Sequence, residues 1–205
     1  KYNPYIAYKV YYPHTISDPS SVVYPKQTQD CSTGNILKHI ANYNVMEGYK
    51  PAGEAKVYND ASKSKAGLEH KFAVYKVYVK VPSAYNGNKP QSLALNLGGQ
   101  TVNLAFTNLT IASDDIFIAY VVSTCQTPSA LKVQCILTDT NTSTHKVAVN
   151  SFEKNYSSCP SNGFGKLYEC YVDLSNETPK TEYGYDLGLP SGTLWGEKNV
   201  GADKP

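Results

Sequence analysis

Apolar and polar positions alternate most cleanly over residues 92–106, SLALNLGGQTVNLAF. Leu93, Leu95 and Leu97 are spaced by small or polar residues, Gly98-Gly99 interrupts the run, and Val102, Leu104 and Phe106 resume it. Alternation on both sides of a glycine pair predicts a β-hairpin, because glycine takes the positive φ of the tight hairpin turns without a Cβ clash. A two-residue loop fixes the register. It sets Leu97 opposite Gln100, Leu95 opposite Val102 and Leu93 opposite Leu104 on an apolar face, with Asn96/Thr101 and Ala94/Asn103 on the other. A one-residue slip would turn every apolar side chain to the wrong side.

Residues 71–81, KFAVYKVYVKV, continue the same logic. Ala73, Tyr75, Val77, Val79 and Val81 face one way. Phe72, Val74, Lys76, Tyr78 and Lys80 face the other, a mixture of aromatics and lysines that suits an exposed strand and also an oligomer contact. Further strands are predicted at 115–123, 130–138, 145–152 and 166–174, separated by the turn-rich stretches TCQTPS, DTNTST and NYSSCPSNGFG. Strands at this spacing predict a mainly β protein whose residues 71–174 form an antiparallel β-sandwich, Ig-like or jelly-roll. The polar, proline-bearing residues 175–184 read as a linker.

Residues 1–70 read as an N-terminal arm with one short helix near 33–43, where Ile36, Leu37, Ile40 and Ala41 stand at helical spacing behind a Ser/Thr cap. His39 falls on the polar side of that helix, where a histidine is expected in solvent. Residues 50–69 are expected as a loop with a short strand near Lys56-Val57-Tyr58. Within the arm, Pro4, Pro13, Pro19 and Pro25 punctuate residues 1–30 and exclude a helix or a central strand. The segment is nevertheless too apolar for a solvated tail. Its candidate interaction residues are Tyr2, Tyr5, Tyr8, Tyr11, Tyr12, Ile16 and Tyr24, to be covered either by the chain's own domain or by a partner subunit.

Composition narrows the function classes. The net charge of +2 is too small to point to nucleic acid, a membrane surface or an acidic substrate. All 19 basic residues are lysine, so the bidentate arginine contact to guanine is missing, and no nucleic-acid partner is expected. No apolar run approaches the ~18 residues of a membrane-spanning helix. The 18 tyrosines suit half-buried strands and contact surfaces, since the ring covers area while the hydroxyl keeps a polar partner. Five cysteines without a CxxC spacing leave either free thiols or two disulfides and a spare, and reduced thiols of a protein assembled in a cytoplasm are expected. His14, His39, His70 and His145 lack metal-ligand spacing, no GxSxG, HExxH or phosphate loop occurs, and Asp114-Asp115 reads as a turn pair. The expectation is a non-enzyme with no catalytic residue, metal or cofactor.

Residues 185–205, YDLGLPSGTLWGEKNVGADKP, change character. Asp186, Leu187, Gly188, Leu189, Pro190, Ser191, Gly192, Thr193 and Trp195, followed by Asn199, Val200, Gly201 and Ala202, closely resemble the opening of the Fibrobacter succinogenes major paralogous domain. Its start reads D-L-G-L-P-S-G-T-x-W and then N-V-G-A. The resemblance implies that 185–205 are the start of a truncated C-terminal display module. It also implies surroundings in Bacteroidota or in their phages, including crAss-like phages, where the module occurs in surface, secreted and virion proteins. The resemblance assigns no function to residues 1–184; taken together with the lack of a secretion signal or active-site motif and the apolar tyrosine-rich arm, it leads to the expectation of a virion structural protein, a head fibre or capsid-decorating protein assembled in the host cytoplasm. It would contact capsid or other virion proteins as a homo-oligomer, a trimer, with host surface glycans met through the C-terminal module and no membrane partner. The alternative is a Bacteroidota cell-surface adhesin or carbohydrate-binding sandwich, whose exposed tyrosines and Trp195 would stack on sugars.

Overall fold

Alternating sequence becomes alternating burial in the structure, a computed structural model that describes residues 3–13, 26–43, 45–97, 100–123, 131–141, 143–156, 165–188 and 194–196. In chain order the strands are β1 (Tyr8–Tyr12), β2 (Lys26–Asp30), β3 (Met46–Lys50), β4 (Glu69–His70), β5 (Ala73–Lys80), β6 (Lys89–Leu97), β7 (Gln100–Thr107), β8 (Ile116–Ser123), β9 (Leu131–Asn141), β10 (Lys146–Tyr156), β11 (Leu167–Asp173), β12 (Lys180–Asp186) and β13 (Leu194–Gly196). The only α-helix among the described residues is α1 (Lys38–Ala41). The protein is mainly β. The strands of the described residues form three sheets, ordered β1-β3-β4, β13-β12-β10-β9-β6-β7-β2 and β11-β5-β8.

The hairpin of β6 and β7 has the expected register, with Leu93 opposite Leu104, Leu95 opposite Val102 and Leu97 opposite Gln100. The turn residues Gly98 and Gly99 lie outside the described residues. On β5, Ala73, Tyr75, Val77 and Val79 are buried, and Val81 continues the row just beyond the strand. Leu93, Leu95, Val102 and Leu104 of the seven-stranded sheet join them, with Phe117, Ala119 and Val121 of β8, Phe152 of β10 and Val172 of β11, in one cluster. Each fully buried side chain of this kind contributes about 1.5–3 kcal/mol against exposure, so this shared core is what holds the two larger sheets together.

Two ladders are parallel where an antiparallel arrangement was expected: β11 beside β5, and β2 beside β7. Parallel neighbours need a long crossover. The β6–β10 strands lie between β5 and β11 in sequence, and residues 31–99 lie between β2 and β7.

The proline-punctuated residues 1–30 do supply strands, but at edges: β1 borders the small sheet and β2 borders the seven-stranded one. Proline density excludes a central strand and tolerates an edge. The helix is shorter than the sequence predicts. Residues 32–37 form turns, the Asp30 carboxylate accepts the Ser32 N–H at 3.0 Å, and Gly34 sits at φ +78°, a left-handed conformation that halts a helix. The Lys56–Tyr58 stretch makes only isolated bridges from Tyr58 to Tyr49 and Ala66. The end of the polar 175–184 run belongs to β12, which pairs with β10, Ser151 lying opposite Lys180.

Strand β2 closes the core in an unexpected way. Its backbone pairs with β7, while the buried side chains of Gln27 and Gln29 turn to the free edge of β8. Gln29 donates to the Ile118 carbonyl at 2.9 Å and accepts from the Tyr120 N–H at 2.7 Å. Gln27 donates to the Val122 carbonyl at 2.6 Å and accepts from the Val122 N–H at 3.0 Å. Two amides spaced by one residue thus imitate the peptide groups of a neighbouring strand. His39 completes the edge with a 2.8 Å contact from Nε2 to the Tyr120 carbonyl, which is why it is buried rather than solvated. Edge groups that would need water are satisfied inside the protein.

Candidate functional site

Among the described residues, three surfaces present exposed aromatic side chains. The first is the N-terminal strand. Residues 3–12 are pinned to the chain's own small sheet: β1 pairs with β3, Gly53 N–H donates to the Pro4 carbonyl at 2.8 Å, and Asn3 N–H donates to the Tyr8 hydroxyl at 2.7 Å. The buried Lys50 donates from Nζ to the carbonyls of Pro4 and Pro51, each at 3.1 Å, and stands 5.7 Å from the Tyr8 ring centre. These contacts leave Tyr8 and Tyr11 half-buried and Tyr5, Ile6 and Tyr12 exposed, Tyr5 at 81%. Of the other predicted interaction residues, Tyr2, Ile16 and Tyr24 lie outside the described residues.

The second surface is the outer face of the sheet β11-β5-β8. Register stacks its outward residues in rows: Leu167 beside Val74 and Val122, Glu169 beside Lys76 and Tyr120, Tyr171 beside Tyr78 and Ile118, and Asp173 beside Lys80 and Ile116. The rings of Tyr78 and Tyr171 lie parallel, 4.7 Å apart at 5°. Tyr78 donates its hydroxyl to Glu169 Oε1 at 2.9 Å, and Lys76 Nζ approaches the same oxygen at 3.3 Å while standing 4.6 Å from the Tyr78 ring centre. The Tyr78 hydroxyl first, and the Lys76 ammonium next, hold the Glu169 carboxyl below its ordinary range. The same hydroxyl and carboxylate raise Lys76, so the pair is charged at neutral pH. Tyr171 is 70% exposed despite its fixed ring. Beside it runs a groove of about 190 Å³ lined by Tyr78, Lys80, Ile116, Tyr171, Val172 and Asp173. At the other end of this face an apolar groove of about 260 Å³ lies between Leu37 and Ile40 and the sheet residues Val74, Tyr120 and Leu167.

The third surface is the edge made by β12 and β13. Tyr183, Leu187 and Trp195 are each exposed by half or more. Gly184 lies opposite Gly196, and a Cβ on Gly184 would stand 3.0 Å from Leu194 Cβ and 3.1 Å from the Trp195 carbonyl oxygen, so glycine lets the last strand come close. Lys146 Nζ caps the Tyr183 ring at 4.3 Å. Residues 189–193 and 199–202 of the C-terminal motif lie outside the described residues.

Other polar groups serve the fold. The Asp30 carboxylate accepts from Asn108 at 2.9 Å, from Ser32 and from Asn35, which draws its pKa down to about 2. Asp115, at φ 63°, starts β8, accepting the Val81 N–H on its carbonyl and the Ser83 hydroxyl on Oδ2. Among the described residues no group of three or more His, Cys, Asp or Glu side chains is placed to hold a metal ion, and no helix is long and apolar enough to cross a membrane. Cys31 carries a free thiol that burial pushes above its ordinary pKa, and Cys170 is buried on β11. Cys125 and Cys159 lie outside the described residues.

No protein-family model matches the chain, and no curated protein matches it either. Sequence reasoning singled out the Lys76/Tyr78 face of β5 but missed its partners Glu169 and Tyr171. The alternation of KLYECYVDL signals that Leu167, Glu169, Tyr171 and Asp173 share a face, yet nothing local shows that β11 lies beside β5.

Proposed function

We propose that the chain is a structural and display protein of a virion, a head fibre or capsid-decorating protein that is anchored through its N-terminal part and presents a module at its C-terminal end. The observation that carries this reading is the pair of blocks formed by residues 186–195 and 199–202, whose residues and spacing resemble the start of a display module. The β12–β13 edge supports it. A chain that leaves the seven-stranded sheet through a paired strand is held more firmly than one that leaves through a free linker.

We read the two larger sheets as the halves of a β-sandwich. Support comes from the common core and from the chain's crossings between sheets at β5 to β6, β7 to β8, β8 to β9, β10 to β11 and β11 to β12. Tyr5, Ile6 and Tyr12 are the anchor or subunit-contact residues in this reading, and closed trimeric symmetry is the arrangement proposed. The alternative, a cell-surface adhesin, is favoured by the fixed and exposed Tyr171 ring.

Sedimentation of the purified chain tests the anchor. The parent is expected to form a small oligomer, and the variant combining Tyr5→Ser, Ile6→Ser and Tyr12→Ser is expected to be a folded monomer that no longer enters virions. A monomeric parent, or a variant that assembles like it, would overturn the anchor. Neighbouring capsid and portal genes are expected beside the coding sequence, and an export signal there would favour the adhesin.

A further inference from the structure

We infer that the Tyr78–Tyr171 face of the sheet β11-β5-β8 is a glycan-contact site that takes a neutral pyranose unit against the outer face of Tyr171. The site is separate from the C-terminal module and does not depend on the virion assignment. An exposed tyrosine on a strand edge is ordinarily free to turn, and ordering it on a ligand costs rotamer entropy. Here that order already exists: the ring lies parallel to Tyr78 at 4.7 Å, and Tyr78 is itself tied by its hydroxyl to Glu169. Tyr78 covers one face of the Tyr171 ring, and with 70% of the residue exposed the opposite face is open to a flat ligand.

The polar groups define that ligand's chemistry. Glu169, two residues away on the same face, receives both Tyr78 and Lys76 on Oε1, and a carboxylate with about four acceptor positions retains Oε2 for hydroxyl donors. The groove beside the pair runs from Tyr171 across β5 toward β8, where Lys80 supplies donors and Ile116 an apolar wall for a neighbouring ring of the same glycan chain. A fixed aromatic plane beside carboxylate and ammonium groups complements a ring that carries C–H bonds on its face and hydroxyls on its rim. Glu169 and Asp173 flanking the plane disfavour acidic sugars. The volume of about 190 Å³ is below the ~300–1,000 Å³ of a drug-sized site and suits a single ring of a longer chain. A protein partner would need ~800 Å² of contact on this side, far more than one ring and its groove supply.

The experiment is titration of the full chain with cellotriose, mannotriose, xylotriose and galactotriose, followed by calorimetry and saturation-transfer NMR. At least one is expected to bind, with transfer from tyrosine protons. Tyr171→Ala should weaken binding at least tenfold, Tyr171→Phe and Tyr171→Trp should retain it, and Glu169→Gln should weaken it severalfold. Ile116→Lys, on another strand, checks the groove should Tyr171→Ala fail to fold. Trp195→Ala should leave affinity unchanged. Failure of the parent to bind any of the four overturns the site. So does binding that survives Tyr171→Ala but disappears with Trp195→Ala, or a change in sedimentation with Tyr171→Ala and no change in sugar binding, which would make the face a contact between copies. The virion assignment rests on residues 186–195 and 199–202, and its anchor on Tyr5, Ile6 and Tyr12, so either proposal can fail alone.

Discussion

Replacing Gln29 with leucine isolates the side-chain ladder that joins β2 to β8. Gln29 has no exposed surface, and leucine nearly preserves its volume while removing the amide. The Ile118 carbonyl and the Tyr120 N–H then lose partners at 2.9 and 2.7 Å inside the protein. Each stranded group costs about 1–3 kcal/mol, and the apolar side chain recovers about 1.5–3 kcal/mol by its burial, leaving a net loss centred near 2 kcal/mol. For a chain of this size that is about 4–8 °C in Tm. Urea unfolding at constant m measures it. Gln29→Glu adds a signature that simple repacking lacks. The introduced carboxylate is buried, so its folded pKa rises above the ordinary ~4.3, and the charged form faces the Ile118 carbonyl. Stability of this variant should be near the parent's below about pH 4, where the protonated carboxyl can donate, and should fall as pH rises through the raised value. A Gln29→Leu variant with the parent's midpoint, or a Gln29→Glu variant with no such pH dependence, would refute the ladder.

Phe152→Ala should cost about 3–5 kcal/mol in urea unfolding, because the ring is fully buried against Tyr85 in the core shared by the two larger sheets. Gly48→Ala should cost about 1–3 kcal/mol, since a Cβ there would meet Leu68 Cδ2 at 2.6 Å and the Tyr58 carbonyl oxygen at 2.9 Å. Asp30 holds its proton only below about pH 2, so its stabilisation is complete above the ordinary ~3.9 and drains away as pH falls toward 2. Tm measured between pH 2 and 5 should therefore lose part of its acid slope in Asp30→Asn.

Period-two alternation was readable wherever one strand face meets the core, as in β5 and the β6–β7 hairpin, because burial there selects the residue type at each position. It was unreadable in β2, where KQTQD looks like solvated loop. Gln27 and Gln29 are buried for their hydrogen bonds, and a side chain chosen to replace a peptide group carries no hydrophobic signal. β3, MEGYK, failed for a related reason: Gly48 is there to admit Leu68 and Val57, and a glycine in a short strand reads as a break. The Tyr78–Tyr171 pair was half-legible. Each ring's face follows from its own strand, but their meeting depends on the parallel pairing of β5 with β11, which no local pattern specifies.

The glutamine ladder also changes what the N-terminal segment can do. An arm that attaches to a partner must be separable from the fold that carries it, and residues 26–30 are not separable: removing them would strip β7 of one of its two neighbours and strand the β8 edge at Ile118, Tyr120 and Val122. Residues 3–12 differ. They cover the Lys50 ammonium and one edge of the small sheet, and residues of the small sheet's strands do not enter the large core cluster. In the proposed reading, attachment and folding are therefore divided within one proline-rich stretch: Tyr5, Ile6 and Tyr12 are exposed, and Gln27 and Gln29 are committed to the chain's own interior. A truncation through residue 30 would abolish assembly by unfolding the core, whether or not the first strand is an anchor. Substitution of the three exposed side chains separates the two causes, because none of them contributes to the buried cluster.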